Sequence, residues 1–183
     1  FESSPSADAA QEIADYLSRS RRYAEAAVYH ERVPELDPDR AAEAKWAAFE
    51  ASRASCDLYL PIPWTLMRER ADAVLAQPDL EAGRVIRVAL GMRAAAKLEG
   101  NLALYVPYLV GALAIEPDPE DELANFFRQT LQDDYRILVE GDAEGAIRDR
   151  RAGLAEGWQT EPYQVIGYTM WCANHAVDLE FAR

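Results

Sequence analysis

Proline followed by aspartate occurs three times in this chain, at Pro38-Asp39, Pro78-Asp79 and Pro117-Asp118, at intervals of 40 and 39 residues. Each dipeptide closes an apolar run of helical period, ending in Glu35-Leu36-Asp37, Leu75-Ala76-Gln77 and Ala114-Ile115-Glu116. A proline there stops a helix, because it has no amide hydrogen and its ring clashes with the turn before it. The aspartate beside it is expected to accept from the free amides that open the next helix. At the third site Pro119 stands where a first helical turn tolerates proline. A fourth boundary is expected near Trp158 to Pro162, with Thr160 capping a last helix. Punctuation at a fixed interval is the signature of stacked helical hairpins, since one hairpin cannot bury its apolar face alone.

Between the stops, apolar residues recur in steps of three and four. Ile13, Tyr16 and Leu17 form one face, and Tyr23, Ala26, Ala27, His30 and Val33 the next. Met67, Ala71, Val74 and Leu75 continue the pattern, then Val85, Val88, Ala89, Met92 and Ala96, then Leu123, Phe126, Phe127, Leu131 and Leu138. Ile166, Met170, Ala173 and Val177 close it, and strand-like alternation is nearly absent. The expected fold is all-α, with about nine helices stacked as hairpins in an α-solenoid; the alternative is a compact helical bundle. One domain is expected over residues 7–183 behind a disordered end at 1–6, with no initiator methionine and thus a fragment or processed chain. Its units are 7–40, 41–79, 80–118 and 119–158, with a final helix at 160–183. That helix carries Val165, Ile166, Met170, Trp171, Val177 and Phe181, apolar enough for homo-oligomer contact or a missing continuation. The longest apolar run, Leu102 to Ile115, is broken by Pro107 and Gly111. A membrane-spanning helix needs about 20 apolar residues, so this run is expected to be a buried core helix.

Half of the 183 residues are apolar, and a chain of this length hides roughly 70% of its unfolded surface on folding. Nineteen basic against 32 acidic residues leave a net charge of −13, which excludes a nucleic-acid binder, because a polyanion needs a basic face. Cys56 and Cys172 fit no metal or redox spacing and are expected as buried thiols. His30 lies on an apolar stripe and is expected in the core. Cys172 and His175 fall on neighbouring turns, but no further ligands are nominated, so neither a metal nor a cofactor is expected. Asp133, Asp134, Glu140, Asp142 and Glu144 form an acidic cluster without the glycine-punctuated spacing of a calcium loop, and are expected as a solvated turn. No phosphate-binding glycine loop or nucleophile elbow is present.

Tyr23-Ala24-Glu25-Ala26-Ala27, followed by Glu35-Leu36-Asp37-Pro38, resembles the second helix and closing turn of a tetratricopeptide repeat. That family places a small alanine where two helices touch, an aromatic four residues later, and a proline closing the hairpin. Ala26 and Pro38 match in register, while His30 takes the aromatic position. In the preceding helix Ile13, Ala14 and Leu17 stand where the pattern has leucine, glycine and tyrosine, with Ala10 at its tryptophan. Gly141-Asp142-Ala143-Glu144-Gly145-Ala146-Ile147 is similar to the turn and start of another second helix, and Gly100-Asn101 with Ala112 and Pro117 is a further echo. The resemblance spans residues 7 to 158 and is fullest over 7 to 40. A period near 40 exceeds the family's roughly 34 residues, so longer turns such as Cys56 to Trp64, or a related helical-repeat family, are required.

The resemblance implies a noncatalytic scaffold or adaptor that holds a protein or peptide on a concave face lined by the first helix of each hairpin. The polar positions expected to point inward are Asp15, Arg19, Lys45, Arg53, Arg87, Arg128 and Tyr135. Five of these are basic, so an acidic or carboxylate-bearing segment is the expected partner. The competing reading is that these arginines pair with neighbouring carboxylates. The alternative function is a small-ligand sensor or all-α enzyme with a pocket between helices, using Trp171, Cys172 and His175 or the acidic cluster. The expected compartment is the cytoplasm, with a processed periplasmic or secreted form as the alternative.

Overall fold

The computed structural model describes residues 6–155, with side chains through 149. The expected final helix, its cap Thr160, and Cys172 and His175 lie outside the described residues. Among the described residues there are eight α-helices and no strand, so the chain is all-α. The helices are α1 (Ala7–Arg19), α2 (Tyr23–Leu36), α3 (Ala41–Asp57), α4 (Trp64–Leu75), α5 (Ala82–Leu98), α6 (Val106–Leu113), α7 (Glu122–Tyr135) and α8 (Ala143–Ala155). Short 3-10 turns at Pro38–Arg40 and Leu102–Tyr105 lead into α3 and α6, and a π turn at Arg136–Glu140 continues α7. The contacts divide the chain inside α7, between Arg128 and Gln129, into two compact units.

In the first unit α1 packs on α2, α2 on α3, α3 on both α4 and α5, α4 on α5, and α5 on α6. Alanines make the first crossings. Ala10, Val33 and Ala44 form one buried cluster, and Leu17, Ala26, Ala27 and Ala51 another. With a methyl at the crossing, backbones approach closely and the contact is fixed by shape rather than by large side chains. The crossing of α3 on α5 is close: a Cβ on Gly91 would stand 2.6 Å from the Phe49 ring.

Helices α1, α3 and α5 end in the same way. The amides of Arg22, Leu60 and Asn101 donate to the carbonyls of Leu17, Ser55 and Ala96, at 2.8, 3.0 and 3.0 Å. A six-residue closure of this kind needs a left-handed residue just before the donor. Those residues are Arg21 (φ 58°), Tyr59 (φ 58°) and Gly100 (φ 70°). After the π turn, Asp142 donates to Arg136 at 2.9 Å across one extra residue, with Gly141 at φ 73°. The four turns recur at intervals of 38, 41 and 41 residues.

The helix starts depart from expectation in detail. Asp118 accepts from the Glu120 amide at 2.9 Å in the turn ahead of α7, and it is Asp121, not Asp118, that caps α7 through Ala124 at 2.9 Å. At the first stop, however, it is Asp37, ahead of the proline, that accepts from the Asp39 amide at 3.2 Å. Asp79 is itself left-handed (φ 54°), and α5 opens at Glu81 with no side-chain cap. The first amide of α4 finds its acceptor at a distance: Trp64 donates to the Glu99 carboxylate at the end of α5, at 3.1 Å. The apolar run at 102–115 is not wholly buried. Tyr105, Leu109 and Ala112 face the core, while Val110 and Pro107 are exposed, because the helix packs on α5 along one side.

Candidate functional site

The first-helix face of α3 and α5 carries a continuous stripe of charge and aromatic surface. On α3, Glu43, Trp46, Glu50, Arg53 and Asp57 follow one another at steps of three and four, so they share one face. On α5, Arg84 and Arg87 meet that stripe. Arg84 donates to both Glu43 carboxylate oxygens, at 2.8 and 3.1 Å, and Arg87 donates to Glu50. Both guanidinium groups lie over the half-buried Trp46 ring, 5.1 and 5.0 Å from its centroid. Trp46 is stacked in turn on buried Phe49, with centroids 6.0 Å apart. Arg53 completes the row, donating to Glu50 at 3.1 Å and to Asp57. Three arginines therefore face three carboxylates, which is a neutral, ordered surface rather than a bare basic groove.

Of the residues expected to point inward, the structure brings Arg53 and Arg87 together here. Lys45 stands apart: two residues from Glu43, it is turned to the far side of α3, where it lines a cleft with Glu31, Pro34, Glu69 and Arg70. Arg128 donates to the carbonyls of Leu113 and Ile115, both at 3.3 Å, and so satisfies the open end of α6. Asp15 is exposed on α1 and accepts from Gln11 at 2.9 Å, and Arg19 is exposed at the end of the same helix. Tyr135 is half-buried and belongs to the second unit. Glu43, Glu50 and Arg84 escaped the sequence reading; the three-and-four spacing from Glu43 to Asp57 is the signal that could have found the two glutamates.

The other candidates resolve into structural roles. Asp142 accepts from Arg136 at 2.6 Å and caps α8 through the Gly145 amide at 2.9 Å. Arg136 and that amide hold its carboxyl below the usual range. Asp133 and Asp134 are buried rather than solvated. Among the described residues no three acidic, histidine or cysteine side chains gather where they could hold a metal ion. Burial pushes the Cys56 thiol up, which keeps it protonated and unreactive.

A second concavity opens on the other side of the first unit. It has a volume of about 720 Å³, with α4 and α6 as walls and Val85, Val88 and Ala89 of α5 as floor. Tyr108 of α6 reaches across and donates to Asp72 of α4 at 2.7 Å. Trp64 meets the Tyr108 ring edge-on, with centroids 6.4 Å apart. Burial, reinforced by Asp72, pushes the Tyr108 phenol well above its ordinary range, so it remains a hydrogen-bond donor. No helix among the described residues is long and apolar enough to cross a membrane. Comparison with protein-family models, with curated proteins and with solved structures finds no match to this chain.

Proposed function

We propose that the chain is a noncatalytic binding module of the helical-hairpin type, similar to tetratricopeptide repeats, which holds a protein or peptide segment on its first-helix face. The observation that supports this reading is the left-handed closure recurring at Arg21, Tyr59, Gly100 and Gly141. Left-handed closures spaced 38 to 41 residues apart fit a chain built by repetition, and repeated hairpins present extended surfaces. The partner segment is acidic. Arg84 and Arg87 already hold carboxylates in a planar, ring-backed setting, and a carboxylate of a partner replaces Glu43 or Glu50 at little cost in geometry.

The test is an NMR titration of the isotope-labelled chain with a glutamate-rich decapeptide and its glutamine counterpart. Shift changes are expected at the side chains of Trp46, Arg53, Arg84 and Arg87, with the glutamine peptide binding at least about fivefold more weakly. Equal affinity for the two peptides, or shifts confined to other faces, would overturn the reading.

A further inference from the structure

The groove between α4 and α6 has an apolar floor and a single uncommitted charge. Its lining includes Arg68, on the exposed side of α4. Arg53 of α3, Arg70 of α4, and Arg84 and Arg87 of α5 all hold carboxylates. Arg68 makes no hydrogen bond or ion pair among the described residues. The one carboxylate that lines the groove, Asp72, accepts from the Tyr108 phenol at 2.7 Å and keeps its charge. Arg68 is the one basic group in that lining, set beside aliphatic and aromatic surface.

We infer that this groove binds a small aliphatic monocarboxylate, its tail on the half-buried Leu75, Leu80 and Val85 and its carboxylate on Arg68. The volume of about 720 Å³ lies within the range of small-molecule sites, roughly 300–1,000 Å³. Val88 and Ala89 are fully buried behind that surface, so the wall on which Val85 stands is fixed by packing before a ligand arrives. Gly111 keeps the α6 wall open: a Cβ placed there meets nothing within 4 Å. A guanidinium favours a carboxylate through paired, charge-assisted hydrogen bonds. This site lies apart from the Trp46 stripe and stands or falls independently of the peptide-binding reading.

The experiment titrates decanoate and 1-decanol into the whole chain, with calorimetry for affinity and NMR for location. One decanoate per chain is expected, with shifts at Trp64, Leu75, Val85 and Tyr108, and with decanol bound about tenfold more weakly. Arg68→Gln should weaken decanoate about tenfold and leave decanol within about twofold. Gly111→Phe should fill the groove and weaken both ligands at least about tenfold, with helicity and melting temperature close to those of the parent. Arg68 is exposed, so its variant keeps the test decisive if Gly111→Phe fails to fold. Absence of saturable decanoate binding, equal affinity for the two ligands, insensitivity to Arg68→Gln, or shifts away from the groove would each overturn the assignment. So would sedimentation showing that the groove is filled by a second copy of the chain.

Discussion

His30 is buried on α2, and its Nδ1 has no hydrogen-bond partner. Burial pulls its pKa below the ordinary value near 6.5, and the Asp15 carboxylate of α1 opposes this only in part. The unfolded imidazole therefore takes up a proton at a higher pH than the folded one. Stability is complete above about pH 6.5 and falls as pH drops through the window below it, where the unfolded state binds more protons. Urea midpoints measured at pH 7.5 and 5.5 should differ for the parent chain and differ less for His30→Phe. That substitution also removes an unsatisfied nitrogen, so it should add about 1 kcal/mol of stability at pH 7.5. The site was legible as a core position, because it continues the stripe of Ala26, Ala27 and Val33. Its missing partner was not, since that depends on what α1 and α3 bring to it.

Helices α2, α3 and α4 are tied by one buried charge. Arg70 is 5% exposed at its side chain and donates to Glu31 of α2 at 2.6 Å and to Ser52 of α3 at 2.7 Å. Ser52 passes the chain on, donating to the Ala48 carbonyl at 2.7 Å. Removing the acid leaves a buried cation unpaired, whereas removing the base leaves only a half-exposed acid that water can solvate. Glu31→Gln should therefore destabilise by about 1–2 kcal/mol, and Arg70→Met by less than about 1 kcal/mol, as read from chemical denaturation. Element boundaries were legible where backbone chemistry changes: Pro38, Pro78 and Pro117 stop second helices, and Gly100 and Gly141 close first ones. Arg21 and Tyr59 close first helices too, yet neither residue type announces a positive φ. The turn is imposed there by the carbonyls of Leu17 and Ser55 and by the packing of the next helix. The same limit applies to the Trp46 stripe. The arginines were visible in the sequence, but which carboxylate each one meets depends on how α5 crosses α3.

For the molecule as a whole, 32 acidic residues against 19 basic ones leave most of the surplus charge without a cation to meet. Like charges repel in the compact state, and salt screens them: the screening length falls from about 30 Å at 0.01 M to about 10 Å at 0.1 M. The exposed ion pairs weaken under the same change, but each contributes less than about 1 kcal/mol. Repulsion is the larger quantity, so the melting temperature should rise with sodium chloride over this range. A fall would mean that the paired arginines outweigh the surplus. Trp46 and Trp64 sit on different faces of the first unit, one beneath two guanidinium groups and the other edge-on to a tyrosine. An indole beside cations and an indole beside a phenol differ in emission and in quenching by iodide. Single-tryptophan versions of the chain would therefore carry two built-in optical reporters, one for the charged stripe and one for the groove, and occupancy of either could be followed without any added label.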